Sequence, residues 1–95
     1  MAFAVVAFHY PKPEHRQELI RRLAAAVEVM ATAEGCVDVA YWAERESGAL
    51  VATATFTSED GWSRALEAVL AAEVDFAYDE RESQPRDVYF LVEPG

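Results

Sequence analysis

Apolar and polar positions along the chain fall into segments with the period of either a strand or a helix. The first segment, residues 3–10, is rich in aromatic and β-branched residues and stops at Pro11 and Pro13, so it is predicted to be a strand. Because strand side chains alternate, it has two faces. One face carries Ala4, Val6, Phe8 and Tyr10, and the other carries Phe3, Val5, Ala7 and His9.

Two segments repeat their apolar residues at the three- and four-residue steps of an amphipathic helix. The first starts at Pro13, which suits an opening helical turn, and is predicted to stop at Gly35. The second starts at Ser58, a good N-cap residue. Their apolar stripes are Leu19, Ile20, Leu23, Val27 and Met30 in the first helix, and Trp62, Leu66, Val69 and Leu70 in the second.

Residues 37–43 and 50–56 are β-prone and flank a short polar loop containing Gly48, which indicates a hairpin. Residues 75–87 form an acidic, partly irregular connection, and residues 88–92 are a last short strand. The resulting order is βαββαβ. It predicts one α+β domain over residues 1–95 with a ferredoxin-like, four-stranded antiparallel sheet and both helices on one face.

The face of the sheet without helices is expected to carry apolar residues that include Val5, Ala7, Trp42 and Phe56. Such residues are unsuited to water, and a second copy would cover them. A chain of 95 residues also has a small core, while its single cysteine, Cys36, excludes an internal disulfide. We therefore expect a homodimer whose two sheets meet face to face and enclose an apolar pocket.

The composition narrows the possible partners. The formal charge is −9 with no basic stripe, so nucleic acid and anionic membrane surfaces are unlikely partners. No apolar run reaches the roughly 20 residues of a membrane span, and the first residues lack the basic start of a signal peptide. A cytoplasmic location is expected, in keeping with the lone thiol.

Two short motifs carry a family resemblance. Ala33-Glu34-Gly35-Cys36 leads into Tyr41-Trp42, and Thr55-Phe56-Thr57-Ser58-Glu59-Asp60-Gly61-Trp62 follows the hairpin. Over residues 3–70 the chain resembles the antibiotic biosynthesis monooxygenase family of small dimeric α/β-barrel proteins. The resemblance implies that fold and a cofactor-independent oxidation of a small aromatic, phenolic or quinone-like molecule.

The chain also departs from that family. Glu34-Gly35 replaces the usual Pro-Gly, and Phe56-Thr57-Ser58 replaces the common Trp-Glu-Ser. There is no asparagine, and no histidine follows His15. These absences argue against heme degradation and weaken the assignment as an oxygenase. The alternatives are a non-catalytic, ligand-binding or regulatory protein on the same scaffold, or a purely structural one.

Five residues are candidates for the site. His9, with the parity of Val5 and Ala7, is expected to face the barrel, where it could take a proton from a phenol. The alternative is a histidine at the barrel rim. Trp42 and Phe56, assigned the same face, could sandwich an aromatic ligand with Trp62, or could simply be dimer core. Arg86 could hold an anionic oxygen, although a surface arginine among Asp79, Glu80 and Glu82 is the simpler interpretation.

No metal or organic cofactor is expected. His9 and His15, with Glu14 between them, match no common zinc spacing. The chain has only four glycines and no glycine-rich phosphate loop, so nucleotide and flavin signatures are missing as well.

Overall fold

A computed structural model describes all 95 residues. A 3₁₀ turn at Pro13–His15 precedes the first helix. The strands are β1 (Phe3–His9), β2 (Cys36–Ala43), β3 (Leu50–Phe56) and β4 (Asp87–Val92), and the helices are α1 (Arg16–Met30) and α2 (Glu59–Ala71). The order is therefore the predicted one. The first helix ends well before Gly35, which instead takes a positive φ of 91° in the turn that leads into β2.

The four strands form one antiparallel sheet in the order β2-β3-β1-β4. Both helices pack on the same face, which confirms the ferredoxin-like α+β fold, and the sheet of one chain is not closed into a barrel. None of the helices has the length and apolar character needed to cross a bilayer.

The pairing of β1 with β3 shows which face the helices cover. His9 lies opposite Leu50, and Leu50 packs with Leu19 and Leu23 of α1. At the other end Phe3 lies opposite Phe56, which packs against Ala65 of α2. The set of Phe3, Val5, Ala7 and His9 therefore faces the helices, and the prediction that it faces away from them was wrong.

Trp42 and Phe56 do not share a face. Trp42 pairs with Val51, five residues before Phe56, so the two aromatic side chains point to opposite sides of the sheet. A bulge between Cys36 and Asp38 also shifts the register of β2. Trp42 lies on the helix-free face with 60% of its surface exposed, whereas Phe56 is completely buried under α2.

The start of α2 sits close to the turn before β2. A Cβ atom on Gly61 would lie 3.2 Å from the Cβ of Phe56, and one on Gly35 would lie 3.3 Å from the Cα of Gly61. The backbone N–H of Thr57 also donates to the carbonyl of Gly35 at 2.8 Å. This close approach fixes the position of Trp62, the residue that follows Gly61.

Candidate active site between the sheet and the helices

A cavity of about 310 Å³ lies inside the single chain, between the covered face of the sheet and the two helices. Val5, Ala7 and Ala54 form part of its floor, and residues of α1 and α2 form its opposite wall. Only three of its 18 lining residues are polar, namely His9, Thr53 and Arg86, and the Thr53 hydroxyl lies on the opposite face of the sheet. This apolar cavity lies within one protomer, and a pocket between the two sheets of a dimer stays a prediction.

Aromatic residues build one end of this cavity. Trp62 lines it, and its ring centroid lies 5.9 Å from that of Phe56 and 6.1 Å from that of Phe90. Phe90 also stacks on Phe3 at 5.8 Å. Phe56 does not line the cavity, so its contact with a ligand would be indirect, through the orientation of Trp62.

His9 lies at the end of β1 and supplies a polar group to the cavity wall. It is buried, and its Nδ1 has no hydrogen-bond partner. Burial, together with the positive charges of Arg86 and Arg22, lowers the pKa of His9 to about 4, although Glu82 opposes the shift. The ring is therefore neutral at neutral pH. A neutral imidazole has one bare nitrogen that can accept a proton.

Glu82 and Arg86 form a buried ion pair beside His9. The Glu82 side chain is only 1% exposed, and its Oε1 lies 3.9 Å from the Nδ1 of His9. Arg86 donates to both oxygens of this carboxylate, with Nη2 at 2.6 Å from Oε2 and Nε at 3.1 Å from Oε1. Arg86 is thus not the surface arginine that the sequence favoured, because it faces the cavity and is largely buried.

Arg86 has little capacity left for a ligand. Its Nη1 donates to the carbonyl of Phe76 at 2.8 Å, and its Nη2 also donates to the carbonyl of Ala77 at 3.0 Å. Together with the bonds to Glu82, four of the five guanidinium N–H groups are engaged. Its main contribution to the site is therefore to hold Glu82 and to supply positive charge.

The connection between α2 and β4 is tied to the rest of the chain by arginines. Arg22 of α1 donates to the carbonyls of Asp75 and Ala77 at 2.6 and 2.9 Å. Arg81 forms ion pairs with Glu18 of α1 and with Asp75 and Asp79. These contacts hold the connection against α1 and so place Glu82 near the end of β1. There the backbone N–H of Ser83 donates to the carbonyl of Tyr10.

Of the five sequence candidates, the structure brings His9, Trp62 and Arg86 to one cavity. Phe56 lies behind Trp62, and Trp42 lies on the opposite face of the sheet, where its Nε1 donates to the Thr53 hydroxyl at 3.1 Å. Glu82 is the residue that sequence reasoning missed as part of the site. The only local signal was its i,i+4 spacing from Arg86, in a segment crowded with other acids.

No group of three or more histidine, cysteine, aspartate or glutamate side chains is arranged to hold a metal ion. The thiol of Cys36 is partly buried, and burial raises its pKa, which disfavours a reactive thiolate. Independence from a cofactor stays a prediction.

The antibiotic biosynthesis monooxygenase family model matches residues 2–74. Three solved structures share the fold. Rv0793 from Mycobacterium tuberculosis is 22% identical, with 100% of this chain and 97% of that one covered at a TM-score of 0.84. A conserved protein from Methanosarcina mazei Go1 is 21% identical, with 99% and 94% covered at 0.86. PA3566 from Pseudomonas aeruginosa is 18% identical, with 99% and 95% covered at 0.78.

None of the curated proteins matches the sequence. The family match spans most of the chain and includes both motifs that carried the resemblance, so this chain belongs to the antibiotic biosynthesis monooxygenase family. Some members of the family are monooxygenases.

Proposed function

We propose that this protein is a cytoplasmic, cofactor-independent monooxygenase that oxidises a small phenolic or quinone-like aromatic molecule in the cavity between its sheet and its helices. The observation that carries the proposal is a buried, neutral histidine in the wall of an otherwise apolar cavity. A cavity of about 310 Å³ is at the small end of the usual range for ligand pockets, so it suits a compact ligand.

The proposed reaction needs a proton acceptor and a dry pocket. His9 removes the phenolic proton, and the resulting electron-rich ring donates electrons to O₂. For oxidation of a CH₂ group to a carbonyl, one oxygen atom enters the product and the other leaves as water with the two hydrogens. The substrate thus supplies all four electrons that reduce O₂, and no external reductant is required. Trp62 packs against the aromatic ring of the ligand.

Oxygen uptake tests this proposal. Phenols and hydroquinones are screened without added cofactor, and the His9→Ala variant is compared with His15→Ala, which changes the other histidine near the start of α1. Losing a general base should lower turnover by about 10²-fold or more in His9→Ala, whereas His15→Ala should keep its activity. Normal turnover by a folded His9→Ala variant would refute the assigned role of His9.

The alternative is a non-catalytic binding or regulatory protein on the same scaffold. The nearly apolar lining of the cavity and the engagement of Arg86 favour it, because they leave His9 as the main polar group available to a substrate. In that case phenols would bind, as calorimetry or fluorescence would detect, and no oxygen would be consumed in the presence of any of them.

We further propose that the protein works as a homodimer joined through the helix-free faces of its sheets. Family members are typically dimeric. Here that face carries Trp42, Tyr89 and Leu91, each about half exposed or more in the single chain. Val5 and Ala7 no longer belong to this surface, because they face the cavity. Light scattering should give twice the 10.6 kDa chain mass.

A further inference from the structure

We propose that Glu82 is a positioning residue that accepts a hydrogen bond from the Nδ1–H of His9 and thereby leaves the Nε2 of His9 as the proton acceptor. The inference deepens the proposed function and rests on it for its chemical purpose. The arrangement itself follows from the contacts around the buried end of β1.

The first argument concerns the unsatisfied nitrogen. The Nδ1 of His9 is sealed from solvent and is the one buried side-chain polar atom in the protein without a hydrogen-bond partner. Leaving such an atom unpaired costs about 1–3 kcal/mol. The carboxylate of Glu82 lies beside it, with Oε1 at 3.9 Å, about 1 Å longer than a normal N–H···O bond. A small rotation of either side chain closes that gap.

The second argument concerns the free capacity of the carboxylate. Arg86 places its shorter contacts, 2.6 and 2.9 Å, on Oε2 of Glu82 and only one contact, 3.1 Å, on Oε1. A carboxylate oxygen has two lone pairs, so Oε1 can accept a second hydrogen bond. It is this oxygen that lies toward His9.

The third argument concerns charge. When His9 takes a proton from a ligand, an imidazolium forms in a buried site, and burial together with Arg86 and Arg22 opposes that charge. Glu82 is the one charged neighbour that favours it. These three residues come from α1 and from the connection before β4, and they account for the charges acting on the ring. Glu82 therefore both fixes the tautomer of neutral His9 and stabilises the imidazolium that forms when His9 is protonated.

The tautomer of His9 can be measured without any substrate. The chain has only two histidines, so ¹⁵N-histidine NMR of the intact protein gives two sets of ring signals, and His15→Gln assigns them. In the wild-type protein at neutral pH we expect His9 to carry its proton on Nδ1. A proton on Nε2 would overturn the proposal, and this result needs no variant at Glu82.

Glu82→Gln sharpens the test. The amide oxygen of the new side chain should turn to the guanidinium of Arg86, which directs the NH₂ group at His9 and should convert the ring to the Nε2–H tautomer. Glu80→Gln is the matched control. Glu80 is exposed and lies two residues before Glu82, so the substitution removes the same charge and should leave the tautomer of His9 unchanged. An unchanged Nδ1–H tautomer in folded Glu82→Gln would contradict the positioning role.

Activity gives a separate result. With an active phenol, Glu82→Gln should lower kcat by about 10-fold or more with little change in KM, because a positioning residue acts on the base and not on ligand binding. If His9→Ala turned over normally while the wild-type ring carried its proton on Nδ1, the proposed reaction would fail and the contact between Glu82 and His9 would stand.

Discussion

The two faces of the sheet use similar apolar strands for different purposes. On the covered face, the helices do not pack fully against the strands, and a cavity with a single buried histidine remains. The helix-free face leaves Trp42, Tyr89 and Leu91 substantially exposed in the single chain. One face therefore offers a ligand site inside the protomer, and the other offers a broad surface suited to a second copy.

The difference shows that hydrophobicity alone does not say what a strand faces. In β1, Val5 and Ala7 line the cavity while Val6 and Phe8, equally apolar, lie on the helix-free side. The two faces differ in the residues that the neighbouring strand places beside those of β1. On the covered face β3 contributes small residues such as Ala54, which leave room for a cavity, and on the helix-free face it contributes Thr53 and Thr55.

A charge on the helix-free face should have the largest effect. Leu91→Asp would place a carboxylate in the proposed dimer interface, at a cost of about 3 kcal/mol or more, so the variant should become monomeric in light scattering at micromolar concentration. Val92→Asp is the matched control, because Val92 is the next residue on β4, points to the opposite side and is 64% exposed. It should remain dimeric. Equal effects of both variants would remove the distinction between the two faces.

Acid should lower the stability of the folded protein through His9, which is buried on the covered face. The pKa of His9 is about 4 in the folded protein, below its ordinary value of 6.5, so the unfolded chain binds a proton first as the pH falls. The stabilisation is present above about pH 6.5 and is lost as the pH approaches 4, by on the order of 3 kcal/mol. Denaturant unfolding at pH 7 and pH 4.5 should therefore show a smaller loss of stability in His9→Gln than in the wild type.

Two features make this comparison specific. Hydrogen bonds, chiefly from Arg81, lower the pKa of Glu18 and of Asp79. Protonation of such carboxylates also destabilises the fold in acid, but it does so equally in the wild type and in His9→Gln. His15→Gln, which removes the partly exposed histidine beside Glu18, should change the pH dependence less than His9→Gln does, because Arg81 is the main cause of the lowered pKa of Glu18. A His9→Gln variant with the pH dependence of the wild type would show that His9 titrates normally in the fold.

The order of the strands and helices could be predicted because each has a clear period. Pro11 and Pro13 end the first strand, and the loop around Gly48 separates β2 from β3. Which side of the sheet the helices cover could not be predicted from β1, because the side chains on both of its faces are apolar. The bulge between Cys36 and Asp38 then changed the parity of Trp42 relative to Phe56, and a bulge has no signal in this sequence.

The candidate site was predicted only in part for a related reason. His9 and Trp62 lie on regular elements, so their proximity follows from the topology once the face is known. Glu82 lies in an irregular connection, and its burial depends on long-range contacts such as those of Arg22 with Asp75 and Ala77. Spacing along the chain contains no information about such contacts.

The two tryptophans offer the mildest test of the comparison, since there is one on each face. Trp62→Phe leaves Trp42 as the reporter of the helix-free face, and Trp42→Phe leaves Trp62 as the reporter of the cavity. Dilution through dimer dissociation should shift the emission of Trp42 to longer wavelength, because its indole becomes exposed to water. Added hydroquinone should quench Trp62 in the other variant, because the ligand would lie against its ring. Each tryptophan is the control for the other. If hydroquinone changed the emission of Trp42 while the mass of the dimer stayed constant, the ligand would lie on the helix-free face and not in the cavity.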